Sequence, residues 1–183
     1  IDVAFLSSLP VLSAELHSIH FLTAQRSRIG DTRPILEAKF GLPSGGCITG
    51  FNVHFPAPYH PTEMRESAFA TLNAIVEKRP EDSPVFAAGD FNTTRAENSN
   101  DAVLEKWVRP HWSVAHDLCI GCLGTNFYLP KNEWSFLDMI LWRSDEDWEL
   151  VDAYLANNVP EQTTENNTPK RFALPKGSGV SDL

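Results

Sequence analysis

The chain has 183 residues, 42% of them apolar and 21% charged, with 13 Pro and 10 Gly spread along it. That suits one domain with a real core and excludes disordered, collagen-like and coiled-coil classes. With 15 Lys+Arg against 24 Asp+Glu, the formal charge of −9 argues against a broad basic groove for nucleic-acid phosphates. It is neutral towards phosphate-cleaving enzymes, because carboxylates that bind a divalent cation reverse the field of one cleft.

In chain order, alternating apolar and polar residues predict strands over Asp2–Leu6, Leu16–Leu22, Ile35–Phe40 and Cys47–Phe55. The last follows the turn Pro43-Ser44-Gly45-Gly46, and the early chain reads as antiparallel neighbours. The period then changes: Pro61-Thr62-Glu63 starts a helix, Met64, Ala68, Leu72, Ile75 and Val76 recur at helical spacing, and Pro80 stops it. Val85–Gly89 is a compact apolar strand of the kind buried on both faces. A second helix is predicted over Asn98–Val108, then strands over Ser135–Trp142 and Trp148–Leu155 with an acidic turn between them. Residues 156–176 are polar and read as a long loop. The mixture predicts an α/β (α+β) class. No apolar run approaches the ~20 residues of a membrane-spanning helix. Ile1 lies in an apolar run and Leu183 closes a strand-like one, so both ends read as cut.

Three short segments put a carboxylate where a strand meets a loop. In Gly89-Asp90-Phe91-Asn92, glycine allows a tight turn and Asp90 and Asn92 are expected on one side. Asp138 lies in the apolar run Ser135-Phe136-Leu137-Asp138-Met139-Ile140, where it is expected to be buried and therefore paired or ligated. Asp182 ends Gly177-Ser178-Gly179-Val180-Ser181-Asp182, and His54 shares a strand face with Asn52. Singly, each has a plain structural reading: an Asx turn at Asp90, a hydrogen-bonded strand histidine, an ion-paired Asp138. Together, Asp90, Asp138 and Asp182 would repel by about 4 kcal/mol per close pair at an effective dielectric near 20, which calls for a divalent cation.

Elsewhere, Cys47 in an apolar run reads as a buried small hydrophobe. Cys119 and Cys122, with His111 and His116 upstream, allow a zinc site, a local disulfide or free thiols, the last being the expectation. The close cysteines lean the localisation towards an extracytoplasmic one, which otherwise stays open. The sequons at Asn92 and Asn166 carry no weight without a secretory context. Tyr59 and His60, in Pro56-Ala57-Pro58-Tyr59-His60-Pro61, are candidate substrate contacts, with a rigid proline turn as the alternative.

In order, DVAFLSSLP, NVHF, the helix around Met64–Val76, GDFNTT, SFLDMILW and GSGVSD resemble the endonuclease/exonuclease/phosphatase superfamily, the fold of DNase I, exonuclease III and sphingomyelinase-type enzymes. The resemblance spans nearly the whole chain but only about the C-terminal two-thirds of that family's domain. It implies a DNase I-like layered β-sandwich of two mixed sheets flanked by helices, incomplete at the N-terminus. It also implies phosphoester hydrolysis, as phosphodiesterase, nuclease or phosphatase, with Mg2+ (or Mn2+ or Ca2+). The substrate would be nucleic acid, a phosphorylated small molecule or a lipid head group, and a monomer is expected.

By matching positions, His54 resembles the phosphate-contacting or acid histidine. Asp90 and Asn92 resemble the pair that positions the attacking water and the scissile phosphate, with Asp90 also on the metal side. Asp138 resembles the carboxylate that orients a second histidine, and Asp182 the metal-side aspartate. Asn52, Asn92, Tyr59 and His60 would touch substrate. Two departures stand out: the family's metal-binding glutamate and its neighbouring asparagine would lie upstream of the residues given, and Leu183 follows Asp182 where a histidine is expected, either as a substitution or as an artefact of truncation. The chain as given is therefore expected to be inactive or nearly so, its parent a phosphoesterase. A catalytically dead relative serving as a binding or scaffold module is the alternative.

Overall fold

The computed structural model describes residues 3–22, 28–79, 84–143 and 151–153. In chain order the strands and helices are β1 (Val11–His17), β2 (His20–Leu22), β3 (Arg28–Asp31), β4 (Ile35–Gly41), β5 (Cys47–His54), α1 (Thr62–Val76), β6 (Val85–Asp90), α2 (Arg95–Asp101), α3 (Val103–Trp107), β7 (Ser113–Val114), β8 (Asn126–Tyr128), β9 (Glu133–Ser135) and β10 (Asp138–Arg143). Six strands form one mixed sheet in the order β1-β4-β5-β6-β10-β7. Neighbours are antiparallel except β5 and β6, which run parallel and are joined through α1. A parallel pair needs such a crossover, and the helical period between two strand periods supplied it.

Alternation along these strands sorts the sheet into two faces. Ile35, Phe51, Val53, Val85, Ala87, Met139 and Leu141 are buried in one cluster with Ala68, Phe69, Leu72 and Val76 of α1. The opposite face carries Asn52, His54, Ala88, Asp90, Asp138 and Ile140, and is only partly covered; Ile140 is 51% exposed. Residues 3–6 cover part of it, with the Phe5 ring edge-on to Phe40 and Phe86 at 5.3 and 6.2 Å.

The helical layer is tied down by one buried amide. Asn73 of α1 donates to the Trp107 carbonyl at 2.8 Å and accepts from the Trp112 indole N–H at 2.8 Å. This satisfies two polar groups that would otherwise be stranded in the core.

Several sequence expectations are corrected. Residues 3–6 are not a strand. The strand expected over 16–22 is two, because β1 begins earlier at Val11 and the chain leaves the sheet after His17. The helix expected over 98–108 starts at Arg95 and breaks at Ala102, which has φ 54° and separates α2 from α3. The strand expected over 135–142 is β9 and β10, interrupted at residues 136–137. Residues 151–153 have no regular structure; the rest of the strand expected over 148–155, and the loop expected over 156–176, lie outside the described residues. The expected α/β fold is borne out: beyond the six-stranded sheet, the described residues form two two-stranded ladders, β2–β3 and β8–β9.

Asn73→Ala leaves the Trp112 N–H and Trp107 carbonyl buried without partners, so a loss of about 1–3 kcal/mol is expected, read as a lower urea midpoint with an unchanged slope.

Candidate active site

Three strand ends meet in register. His54 of β5 pairs with Asp90 of β6, and Asp90 pairs with Asp138 of β10. The ladder continues past them, the Phe55 N–H donating to the Asp90 carbonyl and the Phe91 N–H to the Leu137 carbonyl, each at 2.8 Å. Gly89 makes this approach possible. Its φ is 138°, and a Cβ there would lie 2.1 Å from the Val53 carbonyl oxygen. No side chain fits that space.

Beyond Asp90 the strand ends, and the alternation argument for Asp90 and Asn92 ends with it. Asn92 turns into the left-handed region at φ 53° and is buried. Its backbone N–H donates to Asp90 Oδ1 at 2.8 Å, the Asx turn, while its side-chain amide donates to the Phe55 carbonyl at 2.9 Å. The structural and functional readings of this motif thus coexist. Asp90 Oδ2 lies 3.7 Å from His54 Nε2. Burial pushes the Asp90 carboxyl above its usual range, and the negative charge of Asp138 adds to this; the Asn92 N–H, His54 and Arg33 pull the other way.

Two anchors hold these loops. Phe91 stacks on Phe69 of α1 (5.5 Å, 8°) and meets Phe55 edge-on at 5.2 Å, while Phe55 meets Phe69 edge-on at 5.0 Å. The residues following His54 and Asp90 are therefore plugged into the same helix. The second anchor is Arg65, fully buried, which donates to the carbonyls of Pro56, Ala57 and His60 and pairs with Glu97. Glu97 also closes a capping box with Thr94 at the start of α2 and accepts from the Thr62 hydroxyl. Burial alone would raise the Glu97 carboxyl, but Arg65, the Thr94 N–H and Thr62 outweigh it and hold it below its usual range.

The other sequence candidates divide. Asp138 is exposed, not buried: it is the first residue of β10 and sits on the sheet face that α1 does not cover. Its N–H donates to the Thr125 hydroxyl at 2.9 Å. Asn52 shares the face of His54 and donates its amide to the Ala4 carbonyl at 2.6 Å. Tyr59 and His60 line a separate cavity between the loop before α1 and the β8–β9 hairpin. Asp182 and the segment 177–183 lie outside the described residues.

Cys119 and Cys122 are joined in a disulfide rather than free, and Cys47 is partly rather than fully buried. His111 sits 3.6 Å from Glu77. His116 stacks on Phe136 at 4.1 Å and lines a cavity of about 280 Å3 with Asp138. Burial holds its imidazole below the usual pKa. Among the described residues these four do not gather as zinc ligands.

The one group there whose ligand atoms all lie within 4.8 Å of one another is Glu15, His17 and Glu37. It lies on the sheet face opposite Asp90, and the Arg79 guanidinium already pairs with Glu37 and sits 4.0 Å from Glu15. At the strand ends, the donor set is hard: carboxylate oxygens on Asp90 and Asp138 and an amide on Asn92. The upward push on Asp90 is what a hard divalent cation would relieve, so these residues fit one, short of a complete shell.

Arg33, Arg65 and Thr125 escaped the sequence reading. Each acts on the site across a gap in the chain, and none sits in a motif; the one local signal is the T-x-x-E spacing of Thr94 and Glu97, the partner of Arg65, and it too went unread.

The sequence profile of the endonuclease/exonuclease/phosphatase family matches residues 2–155. The chain belongs to that family. No curated protein matches it. Among solved structures it is similar to D. rerio TDP2 complexed with single-strand DNA product (21% identity, TM-score 0.55, 79% of this chain and 57% of that one). It is also similar to Staphylococcus aureus beta toxin with bound magnesium (17%, 0.53, 79% and 52%) and to the Bacteroides thetaiotaomicron mannosyl-6-phosphatase Bt3783 (16%, 0.52, 73% and 52%). The chain thus spans about half the length of these structures. The shared architecture is DNase I-like, as expected of the family.

Because Asp90 binds its proton more tightly folded than unfolded, its contribution to stability falls as pH rises from the ordinary carboxylate range through its raised value. Asp90→Asn keeps an acceptor for the Asn92 N–H and removes that charge. Metal-free Asp90→Asn is expected to melt above wild type at neutral pH, the difference narrowing as pH falls through the raised Asp90 value into the ordinary carboxylate range. Calorimetry across that range checks it. Arg65→Met strands Glu97 and three carbonyls, and a loss of about 3–5 kcal/mol is expected in chemical denaturation.

Proposed function

We propose that this protein is a metal-dependent phosphoester hydrolase working at the joined ends of β5, β6 and β10. Family membership supports the reaction class, and the single observation that carries the location is the register His54–Asp90–Asp138. An Asp90 carboxylate with a raised pKa orients and deprotonates a water for in-line attack on phosphorus. Asn92, fixed by its bond to the Phe55 carbonyl, retains a second amide N–H for a phosphoryl oxygen. His54, beside Asp90, contacts the phosphate and donates a proton when charged. Asp138 stands where the family has the carboxylate that orients a second imidazole, a histidine whose position is filled here by Leu183, and Asn52, Tyr59 and His60 contact the remainder of the substrate. Asp90 and Asp182 would hold Mg2+, Mn2+ or Ca2+, which when bound neutralises charge on the phosphoryl and leaving oxygens.

Similarity to structures bearing single-strand DNA, magnesium and a mannosyl-6-phosphatase activity supports a phosphoester substrate, from nucleic acid to phosphosugar. Leu183 after Asp182 favours a second reading, a binding module without turnover.

The site test is binding. Mn2+ with inorganic phosphate is expected to raise the melting temperature of the wild-type chain but not of Asp90→Asn; an equal rise in both would overturn the location. Residues 1–183 alone are expected to hydrolyse bis-p-nitrophenyl phosphate with Mg2+ slowly or not at all. Brisk turnover abolished by Asp90→Ala would refute that expectation and uphold the hydrolase.

A further inference from the structure

A cavity of about 680 Å3 lies beside the strand ends. Leu137, which precedes Asp138 and whose carbonyl accepts from the Phe91 N–H, forms part of its wall, as does Thr94, two residues beyond Asn92. The cavity wall thus includes the immediate chain neighbour of Asp138 and a residue two beyond Asn92. Its floor is settled chemistry: Arg65 and Glu97 line it, but each is committed to the other.

The remaining walls carry rings. Tyr59 is 84% exposed, with its ring 4.2 Å from that of His60. Tyr128, from the β8–β9 hairpin, is 52% exposed. Large flat rings exposed to water around a concave space offer a stacking surface. Charge is sparse here: apart from the committed Arg65–Glu97 pair, the ionised side chains are Lys131 and Glu133, one of each sign. Such a surface recognises a flat ring system beside one phosphate rather than a run of phosphates. That also accords with a chain of net charge −9.

We propose that this cavity takes an unpaired nucleobase attached to the scissile phosphate, stacked on Tyr59 and Tyr128. The inference rests on the hydrolase reading and narrows it to nucleotide substrates. A base in a duplex has both faces covered by its neighbours, so the occupant comes from a single strand or a free nucleotide.

The test is anisotropy of fluorescein-labelled hexathymidylate on the full chain in EDTA, where metal-dependent steps are silent. Tyr59→Ala and Tyr128→Ala are each expected to weaken binding about 5- to 100-fold, and the Phe variants to retain it. Unlabelled hexathymidylate and thymidine 5′-monophosphate should compete, and ribose 5-phosphate should not. Binding of thymidine 5′-monophosphate by titration calorimetry, lost in the Tyr59→Ala/Tyr128→Ala double variant, without measurable hexathymidylate binding would assign the cavity to free nucleotides and still support a stacked base; binding of neither would overturn it. Wild-type affinity in the Tyr59→Ala/Tyr128→Ala double variant, or equal competition by ribose 5-phosphate, would overturn the proposal. Both tyrosines are exposed, so circular dichroism should show folded variants. If stacking fails while the Asp90-dependent Mn2+ and phosphate effect persists, only this inference falls; the reverse outcome removes the proposed site at Asp90 and leaves a base-binding cavity.

Discussion

Asp90 stands between two in-register neighbours, and the rest of the candidate site depends on that alignment. A slip of one residue in β6 would turn Asp90 to the face packed on α1 and bring Gly89 to the face of His54 and Asp138. The alignment is secured just beyond the polar residues, where Phe55 and Phe91 pack with Phe69 of α1. His54 and Asp90 are each followed by a buried aromatic residue, and Asp138 by the buried Met139. The sheet thus fixes which way the polar groups face, and the aromatic cluster fixes how far along the strands they sit.

The two sheet faces divide the work between stability and chemistry. One buries apolar side chains against α1. The other collects His54, Asp90 and Asp138 with incomplete cover, and the electrostatic result is a carboxyl held above its ordinary range. A strained charge of this kind is a common mark of a working site, because the same neighbours that destabilise it make it reactive. Arg65 stands in contrast. Its charge is buried with a matched carboxylate and three carbonyls, so it joins the loop before α1 to the start of α2 without presenting a reactive group.

Much of this was legible in the sequence, for physical reasons. β4, β5, β6 and α1 bury one clear face or stripe each, so their periods are strong and their bounds came out within a few residues. β1 was displaced because its side chains are mostly exposed and no burial pattern marks it. The break at Ala102 was invisible because alanine is the best helix former, and only tertiary packing holds it at φ 54°. Asp138 was misjudged because an apolar string does not say which of its residues begins the strand or which face is covered. Spacing alone left the state of Cys119 and Cys122 open, since a two-residue gap suits thiols, a metal knuckle and a bridge alike. Arg33 and Arg65 reach the site only through folding, which no local pattern reports.

The contact between Gly89 and Val53 has a practical corollary for anyone transplanting this pocket into another scaffold. The hydrogen atom at that α-carbon behaves as a spacer of minimum thickness, letting two chains nest until imidazole and carboxylate come within reach. A graft that copies the acid and the histidine but not the bare α-carbon would wedge the two chains apart. The portable unit is therefore a geometry of backbone, with the reactive groups as its passengers.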